Sequence, residues 1–197
     1  MRQNKLLARR ESFGYLLFDP DLERITVLDS NDAIDFSQNL EIIDSISRSV
    51  VKGSDVHLLP SVVERSDILC APTYVELYPT LACNERCYFC YVGDKLNNNL
   101  PSMNVGNIPQ LIKTLANHGV FQIFIAGGEP FLYRDLGLLI DNIYKENLFL
   151  SISTNGTVDR PEVWDAIISA SRNTISTKDC SLYTTTFPSH DCTKHII

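Results

Sequence analysis

Three cysteines fall within eight residues, in the string Cys83-Asn84-Glu85-Arg86-Cys87-Tyr88-Phe89-Cys90, and no other feature of the chain constrains it as much. The spacing is C-x3-C-x2-C. The chain has six cysteines, the others being Cys70, Cys180 and Cys192. An even count in a secreted chain would suggest disulfides. Here the first twelve residues, MRQNKLLARRES, are basic but lack the apolar core of a signal peptide. Crowded cysteines without a secretory signal point to metal binding in a reducing compartment. Three thiolates from one tight loop can take three corners of a cubane iron–sulfur cluster, leaving the fourth iron open to a substrate or cofactor. Two alternatives stand beside this: three unrelated buried cysteines, or a zinc site. Zinc asks for four ligands, usually in pairs, and no histidine lies close by in sequence.

The surroundings of the string suggest where it sits. Tyr74–Thr80 reads as a strand, with the cysteines in the loop after it. Asn107 is placed to cap a helix with Pro109 in its first turn, an apolar stripe of Ile108, Leu111, Ile112 and Leu115, and Gly119 as its stop. Phe121–Ala126 is a short apolar strand of the kind buried in parallel sheets. Leu136, Leu139, Ile140 and Ile143 mark a second helix, Leu148–Ser153 a third strand, and Pro161 opens a third helix through Val163, Trp164, Ile167 and Ile168. Three strand–helix pairs in succession predict parallel strands joined by crossovers. Residues 173–197 show no period. Upstream, the alternation around Phe13, Tyr15 and Leu17, the turn residues Asp19-Pro20-Asp21 and the run Ile25–Leu28 predict a hairpin. Ile42, Ile43, Ile46 and Val50 fall at helical spacing with Gly53 as a stop, and a second helix is predicted over Leu58 to Leu69.

Two further segments follow the next two strands. Gly127-Gly128-Glu129-Pro130 comes after the second, and Ser151, Ser153, Thr154 and Asn155 lie at the end of the third. Alone, each reads as a turn. Together with the cysteine string, at three successive strand ends, they resemble the radical S-adenosylmethionine (SAM) enzymes, whose hallmark is C-x3-C-x2-C after the first barrel strand with an aromatic residue, here Phe89, before the last cysteine. The resemblance implies an α/β fold, a partial (β/α) barrel. It implies a [4Fe–4S] cluster on Cys83, Cys87 and Cys90, with SAM on the open iron. Gly127, Gly128 and Glu129 would hold the methionine end of SAM, Phe89 would pack near its adenine, and Ser153, Thr154 and Asn155 would supply further contacts. Reductive cleavage of SAM would give methionine and a 5′-deoxyadenosyl radical that abstracts hydrogen from a substrate. No side chain beyond the cluster and SAM is assigned a catalytic role.

The segment before the barrel narrows the resemblance. Residues 1–70 are similar to the small α+β module, a hairpin plus helices, that opens many peptide-modifying radical SAM enzymes, the maturases of ribosomally made peptides that carry SPASM-type extensions. The likeness rests on Phe13–Pro20 and on Ser66-Asp67-Ile68-Leu69. It implies a precursor peptide as partner, with its leader bound by this module, and a reductant such as flavodoxin or ferredoxin. Residues 71–172 would form the first half of the barrel and residues 173–197 an irregular tail. The family barrel has six strand–helix units and only three are visible, so the expectation is a chain truncated, frame-altered or degenerate near residue 172. Two rival functions follow: a catalytically inactive protein that binds metal or peptide, or a radical SAM enzyme acting on a small molecule or another protein.

The remaining features exclude more than they assign. Net charge is -7, which draws the chain neither to nucleic acid nor to an anionic membrane. No apolar run approaches the ~20 residues of a membrane span, and the expected setting is cytoplasmic. Cys70 reads as a small buried hydrophobe at a helix end. His57 and His118 read as surface or helix-end residues, and Asp32, Asp35 and Glu41 as a solvated helix face. Cys180, His190, Cys192 and His195 are a weak second metal candidate.

Overall fold

The computed structural model describes residues 6–20, 22–29, 41–43, 50–52, 56–61 and 68–174. Three parallel strands, β7 (Tyr74–Leu77), β8 (Gln122–Ile125) and β9 (Phe149–Ile152), lie side by side in that order. They alternate with helices α1 (Ile108–Asn117), α2 (Leu136–Lys145) and α3 (Pro161–Thr174). Val75, Ile123 and Leu150 share one rung of the sheet, and Leu77, Ile125 and Ile152 another. These residues point to a single face. There they pack with Ile108 and Ile112 of α1, with Leu136, Leu139, Ile140 and Ile143 of α2, and with Val163 of α3. The apolar stripes read from the sequence are therefore the faces the helices bury. The opposite face carries Tyr74 and Glu76, both exposed, with the half-buried Gln122, Phe124 and Ser151. The three strand–helix pairs expected from the sequence are present; β7 starts at Tyr74 as predicted but ends at Leu77, and β8 and β9 are each one residue shorter at both ends.

The N-terminal part is built mostly of strands. β1 (Leu6–Glu11), β2 (Gly14–Asp19), β3 (Arg24–Asp29) and β6 (Val56–Leu58) form one sheet in the order β3-β2-β1-β6. β2 pairs antiparallel with β1 and β3, while β1 and β6 run parallel. The expected hairpin is β2–β3, and the Asp19 carboxylate accepts from the Leu22 N–H at 3.2 Å across its turn. β1 was not anticipated.

The helix expected from Ile42 to Val50 is instead an antiparallel pair, β4 (Glu41–Ile43) and β5 (Val50–Lys52). The apolar residues that match a helical period here are mostly β-branched. Such pairs as Ile42-Ile43 and Val50-Val51 suit a strand better than a helix. Glu41 accordingly lies in a strand and not on a helix face. The helix expected from Leu58 is also absent at its start, since β6 ends at Leu58 and residues 59–61 are irregular. Residues 62–67 lie outside the described residues, and 68–70 are not helical, so Cys70 does not end a helix. Asp32, Asp35 and the candidate cluster Cys180, His190, Cys192 and His195 also lie outside the described residues. His57 is exposed in β6 and His118 caps α1, as expected.

A small apolar seam joins the two parts. Leu7, Leu16, Phe18 and Leu59 pack on Phe121 and Phe149. Phe18 stacks on Phe121 at 5.7 Å and meets Phe149 edge-on at 5.5 Å. Phe121 precedes β8 and Phe149 begins β9, so the N-terminal sheet covers the end of the parallel sheet opposite to the cysteine loop. Beside this seam lies Arg9, wholly buried. Its guanidinium pairs with Glu11 at 2.8 Å, donates to the carbonyls of Ala71, Pro72 and Gly119, and sits 5.0 Å from the centre of the Phe121 ring. Gly119 has a φ of 75°, and a Cβ there would stand 2.3 Å from the Pro60 carbonyl oxygen and 2.7 Å from Arg9 Cδ. Only glycine fits. Cys70 joins the same network: its N–H donates to Glu11 at 2.9 Å and its thiol lies 3.4 Å from the same carboxylate. Among the described residues no helix is long and apolar enough to cross a membrane.

Candidate metal and cofactor site

The loop after β7 carries all three clustered cysteines, each half-buried and free. Backbone bonds from Cys90 N–H to the Cys87 carbonyl (3.1 Å) and from Gly93 N–H to the Cys90 carbonyl (3.2 Å) wind it into tight turns. The Glu85 N–H points at Cys83 Sγ, 3.4 Å away, a contact that favours a thiolate. Asn97 holds the loop at its start, where its side chain accepts from the Cys83 N–H (3.0 Å) and donates to the Cys83 carbonyl (3.1 Å). Tyr91 ties the far end back to β7: its hydroxyl donates to Glu76 at 3.2 Å and its ring meets Tyr78 edge-on. Burial pushes the Cys83 thiol up, and the Glu85 N–H opposes the shift. The negative charges of Glu129, Cys87 and Cys90 push it further up, so these groups stand within electrostatic reach of one another. Among the described residues no group of three or more His, Cys, Asp or Glu converges on a point where one ion could sit.

The loop after β8 is pressed against the cysteine loop. The Gly128 N–H donates to the Thr80 carbonyl at 3.0 Å and the Glu129 N–H to the Ala82 carbonyl at 2.8 Å. A Cβ on Gly128 would stand 2.2 Å from the Ala82 oxygen, and Gly127 takes a φ of 108°. The close approach of the two loops is thus what the paired glycines permit.

Glu129 is 1% exposed. Its carboxylate accepts from the Phe131 N–H (2.9 Å), the Thr154 hydroxyl (2.7 Å) and the Asn155 N–H (2.7 Å), and among the described residues no basic side chain pairs with it. It therefore fastens the end of β9 to the end of β8. Thr154 and Asn155 are buried and committed to this network, whereas the half-buried Ser153 has no hydroxyl partner among the described residues. Phe89 packs edge-on against the exposed Tyr88 and is itself 54% exposed.

The structure therefore brings together Cys83, Cys87, Cys90, Gly127, Gly128, Glu129, Thr154 and Asn155, with Ser153 adjacent and Phe89 on the open side of the loop. Sequence reasoning missed Asn84, Asn97 and Thr157, which bind the loops to one another. Their one visible signal is an abundance of Asn and Thr beside turns, the residues that hydrogen-bond to nearby backbone.

The residues match known proteins in the same region. The family model described as Radical SAM superfamily covers residues 77–178. A probable GTP 3′,8-cyclase of Methanococcus maripaludis is 35% identical over 78 residues, 39% of this chain and 26% of that protein. The S-adenosylmethionine-dependent nucleotide dehydratase of Selenomonas ruminantium is 34% identical over 85 residues, 43% of this chain and 30% of that protein. The chain thus spans between a quarter and a third of these relatives. In fold it is similar to Streptococcus suis SuiB bound to its precursor peptide SuiA, with a TM-score of 0.60 and 18% identity over 84% of this chain and 45% of that one. SuiB bound to S-adenosylmethionine is matched at 0.58. A thiol-rich loop, a glycine pair and a buried carboxylate at three neighbouring strand ends, within a matched span of more than half the chain, lead to one assignment: the chain belongs to the radical SAM superfamily, which uses a [4Fe–4S] cluster and SAM.

Proposed function

We propose that Cys83, Cys87 and Cys90 hold the [4Fe–4S] cluster and that the adjoining segment Gly127, Gly128 and Glu129 receives the ammonium of SAM's methionine moiety. One observation carries this reading: Glu129 is a buried carboxylate with no cationic partner among the described residues, and its backbone N–H is bonded to Ala82, the residue before Cys83. A buried charge lacking a counter-charge is unfavourable, and an incoming ammonium relieves it. When bound, the cluster and SAM supply reductive cleavage of SAM and hydrogen abstraction from a substrate.

The chain's own residues bind and orient. Asn97 and the Glu85 N–H fix Cys83 at the mouth of the loop. Glu129 orients the ammonium, and its three donors keep its oxygens in place before the ligand arrives, so little reorganisation is needed on binding. Ser153 offers its hydroxyl toward the ribose and carboxylate side, Thr154 and Asn155 shape that side through Glu129, and Phe89 offers its ring to the adenine. Iron and sulfide content after anaerobic reconstitution tests the ligand set. The native chain is expected to bind about four irons, and the Cys83→Ala, Cys87→Ala, Cys90→Ala triple variant none.

We further infer that the substrate is a ribosomally made peptide and that residues 1–70 recognise it, residues 71–172 being the catalytic part and 173–197 a tail. Two findings support this: the fold likeness to SuiB, solved with its precursor peptide, and the edge at β3, which is unpaired among the described residues and where Ile25 and Val27 are 41% and 63% exposed. An extended peptide can add to such an edge as a strand. A flavodoxin- or ferredoxin-type reductant and a cytoplasmic setting belong to this reading. A nucleotide substrate is the second reading, favoured by the GTP 3′,8-cyclases and the nucleotide dehydratase among the relatives. Binding measured against leader peptides and against GTP separates the two.

A further inference from the structure

The cysteine loop is joined to the segment after β9 by a closed ring of side-chain hydrogen bonds that runs through Thr157, a residue outside the motifs read from the sequence. Asn84, in the loop between Cys83 and Cys87, donates from Nδ2 to the Thr157 hydroxyl at 2.7 Å. The Thr157 hydroxyl donates in turn to Asn155 Oδ1 at 2.7 Å. Asn155 Nδ2 returns a bond to Asn84 Oδ1 at 2.9 Å. The Thr157 N–H adds a second bond to Asn155 Oδ1, also at 2.9 Å.

Each donor in this ring has its own acceptor, and the direction of the bonds is consistent all the way round. Flipping either amide would break two of them, so the ring sets the orientation of both asparagines. A closed chain of this kind is cooperative, and removing one member weakens the others. From Asn155 the network runs on, since its backbone N–H donates to Glu129.

We propose that Thr157 is a positioning residue that latches the loop between Cys83 and Cys87 to the strand end held by Glu129, so that the cluster loop and the SAM seat are ordered as one unit. The inference rests on the cluster and SAM reading for its functional consequence, but the latch is a property of the protein alone. Thr157 is exposed, so its replacement removes the hydroxyl without opening a cavity in the core.

The test uses the full chain and three forms: native, Thr157→Val and Thr157→Ser. Amide hydrogen exchange is followed first in the metal-free protein. Exchange across residues 83–87 is expected to rise about five- to tenfold in Thr157→Val, the change that follows from losing one or two net hydrogen bonds. In Thr157→Ser, which keeps the hydroxyl, it is expected to stay at the native rate. Exchange in β1–β3 should be unchanged in both variants. After reconstitution, SAM is titrated by its effect on the electron paramagnetic resonance spectrum of the reduced cluster. Thr157→Val is expected to need about tenfold more SAM for half-saturation at equal iron content, with Thr157→Ser near native. Equal exchange in Thr157→Val and native protein overturns the latch. Raised exchange with an unchanged SAM titration overturns its coupling to the SAM seat. If the native chain takes up no iron, the cluster reading fails, while the exchange measurement still decides the latch.

Discussion

Replacing Arg9 with methionine is expected to lower the unfolding free energy by about 3–5 kcal/mol, the usual effect of removing one member of a buried ion pair. Methionine roughly fills the volume, so the loss comes from polarity and not from a cavity. Glu11, 3% exposed, would lose its cation and keep Cys70 as its one remaining polar partner among the described residues, and the carbonyls of Ala71, Pro72 and Gly119 would lose their shared donor. Arg9→Lys keeps the charge but not the planar fork that reaches Glu11 and three carbonyls at once, so it should recover only part of the loss. Urea denaturation, with the slope compared between variants, measures this. The double variant Arg9→Met, Glu11→Leu should be more stable than Arg9→Met alone, because it removes the orphaned carboxylate. If Arg9→Met unfolds at the native midpoint, the buried network does not join the N-terminal sheet to the parallel sheet in the way described.

The second large effect is expected at Glu129. Glu129→Ala leaves the Phe131 N–H, the Thr154 hydroxyl and the Asn155 N–H without their acceptor in a buried site. Each orphaned donor costs about 1–3 kcal/mol, and because the three share one anion the sum is less than additive; a total loss of about 3 kcal/mol is expected. Glu129→Gln keeps one oxygen acceptor and turns the other position into a donor that faces a donor. It should therefore be intermediate in stability. For SAM the two variants should be alike, since both lack the negative charge. Equilibrium binding is expected to weaken by about a hundredfold in each, the equivalent of about 2.7 kcal/mol for a buried charge-assisted bond. Glu129→Gln binding SAM as tightly as the native chain would show that the carboxylate fastens the strand ends and does not receive the ligand.

How much of this was legible in the sequence depends on what each residue had to satisfy. The parallel sheet was readable because its strands are short apolar runs between helices with clear stripes, and because punctuating residues such as Pro109, Gly119 and Pro161 stand at the boundaries. The site was readable in outline because cysteines, paired glycines and a following glutamate are unusual at three successive strand ends. β1 was not readable: its buried positions include Arg9 and Glu11, so its pattern looks polar, and the partners that make those charges tolerable lie far along the chain, 110 residues away at Gly119 and 62 and 63 residues away at Ala71 and Pro72. The pair β4–β5 was misread because Ile42, Ile43 and Val50 satisfy helical spacing as well as strand pairing, and only partner contacts decide between them. The roles of Asn97 and Thr157 depend on loops meeting in space, which spacing along a chain does not encode.

The central claim is tested most directly by anaerobic reconstitution with iron and sulfide, followed by SAM and a chemical reductant, with 5′-deoxyadenosine as the readout. The account predicts that the native chain forms 5′-deoxyadenosine and that Cys83→Ala, Cys87→Ala and Cys90→Ala each abolish it. A native chain that binds zinc in place of iron, or that forms 5′-deoxyadenosine equally well without these cysteines, would contradict it.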